Sequence, residues 1–137
     1  MSQTHGTPTG ALVSFKVSAT ITAFNLLKVT GANRVGTWDT TTAIMFAISQ
    51  DASKGGSDTS VLAQLYGCAK LTAGASVSAG AFITGTTTGL GIEDTSLGLI
   101  KTSTASVPFG IGIALDAADT NSTFEVLMMP RSMRWVA

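Results

Sequence analysis

The apolar residues of this chain come in short runs that Gly, Ser and Thr break up, and none approaches the ~20 consecutive residues needed to cross a bilayer. Within the runs the pattern alternates. Phe109 to Leu115, FGIGIAL, puts Phe109, Ile111, Ile113 and Leu115 on one face and Gly110, Gly112 and Ala114 on the other, which is the period of two of a β-strand. The glycine face predicts that something bulky lies close over it. Thr, Val, Ile and Phe favour pleated, half-buried positions, and the 15 glycines supply turns. The expectation is an all-β fold: a compact β-sandwich or small β-barrel of short antiparallel strands, with an extended N-terminal arm.

At 137 residues the chain is one domain by size and can bury roughly two-thirds of its unfolded surface, so it needs no disulfide or metal staple. Eight basic and eight acidic side chains balance, leaving no field to hold phosphates, so neither nucleic acid nor an anionic membrane is expected as a partner. The single cysteine, Cys68, cannot close an intramolecular disulfide, and its neighbours Gly67, Ala69 and Leu71 place it as a small buried hydrophobe. Met1 to Gly10 lacks the basic start and apolar core of a secretory signal, and synthesis in the cytoplasm of the producing cell is expected.

Three parts follow: a mobile arm over residues 1–10, a β-domain over 11–129 and a tail over 130–137. Ala11 to Val17 is the first strand, with Phe15 and Val17 inward, and Leu26 to Thr30 and Arg34 to Trp38 form a hairpin about Gly31, Ala32 and Asn33. Ala43 to Ser49, AIMFAIS, reads as a central strand buried on both sides. Asp51 to Thr59 is an exposed loop, and Ser60 to Leu71 is one strand kinked at Gly67. Ala75 to Gly80 is a tight uncharged corner before the strand Ala81 to Thr84, and Thr86 to Gly91 is a turn. Leu97 to Thr102 is a further strand candidate. Asp116 to Ser122 is a polar connection with room for one helical turn before the last strand, Thr123 to Met129.

A weak internal echo links Ile48, Asp51 and Ala52, followed by a polar loop and the strand from Ser60, to Ile113, Asp116 and Ala117, followed by a polar loop and the strand from Thr123. The spacing is kept for those three residues only. A shared hairpin design and a duplication both account for it.

No reaction centre is legible. His5 is the only histidine and lies in the arm, whereas a general base must be held by a rigid shell within hydrogen-bonding distance of its partner. One Cys and one His cannot make a zinc site, and Glu93 with Asp94, or Asp116 with Asp119, lack the dense oxygen ligands of a calcium loop. Gly85, Gly89 and Gly91 have no strand-to-helix context or following Lys and read as turn glycines. Neither catalysis nor a cofactor is expected. The ends hold the candidate contact residues instead: Thr4, His5, Thr7 and Pro8 in the arm, and Arg131, Arg134 and Trp135 in the tail. An arm of this kind can add a strand to a neighbour's sheet edge. Trp and Arg are enriched at binding hot spots, while Trp135 can equally fold back over a sheet end.

From Ala19 to Met129 the segments ITAFNLLKV, FAISQDA, GCAKLTAGASVSAGAFIT and GIGIALDAADTNSTFEVLM resemble the small capsid decoration, or cement, proteins of tailed bacteriophages. The chain departs from that pattern at Ala81, where the family often has an acidic residue, and in its two ends. The resemblance implies a non-enzymatic β-domain that binds the outside of an assembled virion head as a dimer or trimer. The major capsid protein would be its partner, and it would reinforce the shell by bridging capsomers. Another small virion part, such as a head fibre base or tail accessory, is the alternative, and a ligand-binding β-barrel the more distant one.

Overall fold

Alternation along the first strand sets the inside of the fold. The computed structural model describes residues 11–17, 19–39, 45–54, 59–94 and 110–133, with backbone alone over 129–133. In β1 (Leu12–Val17) every second side chain turns inward, ending on the fully buried Val17. It is followed by β2 (Leu26–Gly31), β3 (Arg34–Thr37), β4 (Ala47–Ser49) and β5 (Ser60–Gln64). These five close into a barrel in the order β1-β3-β2-β4-β5. β1 seals it by running antiparallel to β5 and parallel to β3, where Val17 pairs with Val35. The hairpin between β2 and β3 turns on Asn33, whose φ of 58° is one that Asn tolerates better than most side chains. Val17, Ile21, Leu27, Val35, Ala47, Val61 and Ala63 fill the barrel.

Gly67 is where expectation and structure part. Ser60 to Leu71 is not one kinked strand: β5 ends at Gln64, and β6 (Gly67–Thr72) opens a second sheet. Gly67 has φ 89°, a left-handed conformation that costs a residue with Cβ about 1–2 kcal/mol, and it turns the chain out of the barrel. The second sheet adds β7 (Phe82–Gly85), β8 (Gly91–Glu93), β9 (Gly110–Ala114) and β10 (Thr123–Met133) in the order β6-β10-β9-β7-β8. A parallel bridge from Ala73 to Gly91 brings its two edges together. β8 begins at Gly91, where the turn from Thr86 was expected to end, and takes in Glu93. No helical turn precedes β10, and the backbone of 130–133, expected beyond the last strand, belongs to it. The strand candidate Leu97 to Thr102 and the tip of the 51–59 loop lie outside the described residues.

Cys68 is also corrected. Ala69 and Leu71 take the inner face of β6, so alternation puts Cys68 outside with Lys70, and Cys68 is half-buried rather than core. At Gly112 the close neighbour is the backbone of the paired strand β10. A Cβ at Gly112 would stand 2.0 Å from the Leu127 carbonyl oxygen.

The second sheet repeats the first barrel strand for strand. Residues of β1, β2 and β3 correspond to residues of β6, β7 and β8 at one constant sequence offset. Leu27 pairs with Thr37 and Val29 with Val35, as Ile83 pairs with Glu93 and Gly85 with Gly91. Ser14 pairs with Leu62 as Lys70 pairs with Glu125, and Ile48 with Gln64 as Ile113 with Leu127. The irregular parts match too. Ile21 and Ser53 exchange backbone bonds of 2.8 and 2.9 Å, as Val77 and Ala118 do at 2.8 and 3.0 Å. Phe24 and Asn33 have positive φ, as do Gly80 and Gly89 at the corresponding sites. The echo of Ile48, Asp51 and Ala52 is thus the visible trace of a whole five-strand unit present twice.

The aspartate of the echo has a physical job in both units. Asp51 accepts the Leu62 N–H at 2.8 Å and Asp116 accepts the Glu125 N–H at 2.9 Å, each tying the start of a loop to the strand that returns. Asp51→Ala and Asp116→Ala should each lower unfolding free energy by about 1 kcal/mol, read from urea midpoints at unchanged m-value. Swapping either for Asn, which keeps an acceptor oxygen, should recover most of that loss.

Candidate functional surfaces

The two units are joined by faces of different kinds. Leu26, Ile48 and Gln64 form a cross-strand row on the outside of the first barrel, and all three are fully buried. With Trp38 and Met45, the apolar members of this row share one cluster with Ala69, Leu71, Ile83, Phe124 and Val126 of the second unit. The row therefore caps the open end of the second sheet. Gly85 stands at that end, where an added Cβ would lie 2.7 Å from Leu26 Cδ1 and 2.9 Å from Trp38 Cε3, so a larger residue would have to push these side chains aside. Backbone bonds lock the contact: Leu26 N–H to the Gly89 carbonyl at 2.8 Å and Thr72 N–H to the Phe24 carbonyl at 2.9 Å. β4 is buried on both sides for this reason, facing the barrel core with Ala47 and the second unit with Ile48.

The same two faces recur once more, one on each unit, and there they are partly exposed. On the second unit the row equivalent to Leu26, Ile48 and Gln64 is Phe82, Ile113 and Leu127; the first two are half-buried and Leu127 is 39% exposed. On the first barrel the positions equivalent to Ala69, Leu71 and Gly85 are Val13 and Phe15, both half-buried, and Val29, 63% exposed. Beside Val13 and Phe15 runs a groove of about 560 Å³ whose rim carries Lys16, Asn33 and Arg34. Exposure alone at these sites has no local sequence signal, because each side chain is of a type that the other unit buries.

Arg34 donates to the Val17 carbonyl at 3.2 Å, and Glu93 accepts the Ser78 N–H at 2.5 Å. Lys28 and Asp39 form a surface ion pair at 2.5 Å, of the kind that contributes little to stability. Among the described residues, no group of three or more His, Cys, Asp or Glu side chains could hold a metal ion, and none forms a helix. Of the candidate contact residues, Thr4, His5, Thr7, Pro8, Arg134 and Trp135 lie outside the described residues, and of Arg131 only the backbone, in β10, is described.

These features define a tandem of two small five-strand β-units. No family model matches the chain, and no curated protein matches it in sequence. Among solved structures it is similar to the head fiber gp8.5 N base of bacteriophage phi29. The TM-score is 0.67 at 15% identity, over 90% of this chain and 98% of that one. At that identity the likeness is one of fold, and it spans both units of the tandem.

Proposed function

We propose that the chain is a structural component of a phage virion, serving as the base of an appendage on the head. The observation that carries this reading is the near-complete mutual coverage with the phi29 head fiber base: both five-strand units are shared, not merely one barrel. The tandem of surfaces supports it, since a base must hold a shell on one side and further protein on another. The zero net charge suits shape-based docking to a capsid surface rather than to nucleic acid or lipid.

In this reading the protein is not an enzyme, uses no cofactor, and sits on the outer surface of the capsid with the major capsid protein as its partner. A cement role, in which the same docking reinforces neighbouring capsomers, is the finer version drawn from the motif resemblance. Incubating the purified protein with emptied heads that lack it tests both. Saturable co-sedimentation with the heads is expected, and its absence would overturn the reading. A rise in the temperature at which those heads rupture would add the cement role, and unchanged rupture would leave the appendage role alone.

A further inference from the structure

We infer that copies of this chain associate head to tail, the outer row of one copy's second unit capping the open barrel end of the next copy's first unit. The inference rests on the internal repeat and not on the virion reading. Inside one chain, the row Leu26, Ile48 and Gln64 caps the second unit and is wholly buried in doing so. The equivalent row Phe82, Ile113 and Leu127 and the equivalent open end at Val13, Phe15 and Val29 are the two halves of that same contact, and among the described residues neither is covered as its counterpart is, although Phe15 packs edge-on against Phe46. An apolar face built to be covered, and left half-exposed, marks an interaction site. Here the occupant is fixed by the fold, because the mate of each face is carried by every other copy.

Side-chain replacements between the units fit an intermolecular contact. At the internal junction Thr37 and Trp38 meet Gly89 and Gly85, with Leu90 and Thr72 nearby in the sequence of the same end. At the free faces, Glu93 and Asp94 replace Thr37 and Trp38, while Arg34 and Lys16 replace Leu90 and Thr72. Bulk is exchanged as well, since Val29 stands in place of Gly85 and Asp94 in place of Trp38. The internal junction is thus neutral and close-packed, whereas one of its two counterparts carries acidic side chains and the other basic ones, Glu93 also holding the Ser78 N–H and Arg34 the Val17 carbonyl. Opposite charges of this kind steer association and fix register, and a junction between unlike faces builds a ring if its rotation closes and a filament if it does not.

Val29 allows a test that leaves the fold alone, because its side chain is 63% exposed in the free chain. In the proposed contact it takes the place that Gly85 has at the internal junction and so faces Phe82 and Asp94, with Glu93 beside them opposite Asn33. Sedimentation velocity of the full chain over a concentration series should show species at multiples of the monomer mass. Val29→Asp should weaken association at least tenfold, and Val29→Lys should keep or tighten it, both with melting temperatures of the dissociated chain unchanged. Mixing Val29→Asp chains with Glu93→Lys chains should restore assembly that each lacks alone; should Glu93→Lys fail to fold, the Val29 pair decides. A wild-type chain that stays monomeric at every concentration, whether because its own segments cover these faces or because nothing does, would overturn the inference. So would Asp and Lys at position 29 acting alike. Monomers in solution would leave the virion reading standing, and failure to bind heads would leave this one standing.

Discussion

Trp38→Ala is expected to cost about 3–5 kcal/mol, the usual range for emptying a buried aromatic site, and to lower the melting temperature by roughly 10–15 °C in a chain of this size. Trp38 is 2% exposed, and its ring lies so near Gly85 that a single Cβ there would touch it at 2.9 Å. Removing the indole leaves a cavity at the junction of the two units instead of inside either barrel. The loss should therefore be uneven. Hydrogen exchange should accelerate first in β6 to β10, whose open end the Trp38 face caps, while β1 to β5 keep their own core of Val17, Ile21, Leu27, Val35 and Val61. Equal acceleration across both units, or a loss below about 1 kcal/mol, would mean that the junction does not depend on this side chain.

Gly112→Ala is the second large effect, and its cause is backbone and not cavity. The new Cβ would meet the Leu127 carbonyl oxygen at 2.0 Å and the Met128 Cα at 3.1 Å, where β9 pairs with β10 and the register shifts toward Met133. No rotamer relieves such a contact; the strands must separate. A loss of about 3 kcal/mol, near the upper end of the overpacking range, should appear as a melting temperature lower by roughly 10 °C. Gly31→Ala is the control: nothing lies within 4 Å of a Cβ there, and the substitution should change stability by about 0.5 kcal/mol or less.

Much of this fold was legible wherever alternation along a strand coincides with burial. Phe15 and Val17 were placed inward, the hairpin on Asn33 was located, and Ala43 to Ser49 was read as a strand buried on both sides; the described part agrees in burial at β4, Ala47–Ser49, while residues 43 and 44 lie outside the described residues. β8 was not legible because Gly91–Glu93 is too short for a period to emerge and lies among threonines and acidic residues that favour turns. Gly67 was read correctly as a break, yet a sequence does not say whether a left-handed glycine bends one strand or hands the chain to another sheet.

The repeat was hidden for a different reason. Its positions conserve backbone hydrogen bonds and interior placement rather than side-chain identity. Phe15 answers to Leu71, Val61 to Phe124 and Leu65 to Met128, so volume moves between strands while the interior remains filled. Identity persists at few positions, and at Asp51 and Asp116 it has a visible cause, since each side chain ties a loop to the returning strand. The candidate surfaces were illegible for the same reason. Phe82, Ile113 and Leu127 have the chemistry of core residues, and only the second copy of the unit reveals what such a row is shaped to meet. The contact residues expected from sequence lay at the two ends instead, because charge-poor arms and a terminal Trp with arginines are features a sequence displays directly.

The central claim, that this chain is a virion component standing on the phage head, is tested most directly by electron cryomicroscopy of particles from a host expressing it with its phage. The account predicts density on the outer capsid surface into which the tandem of five-strand units fits with both units accounted for, and loss of that density when the gene is deleted. Density of this shape on the tail alone, or particles identical with and without the chain, would contradict it.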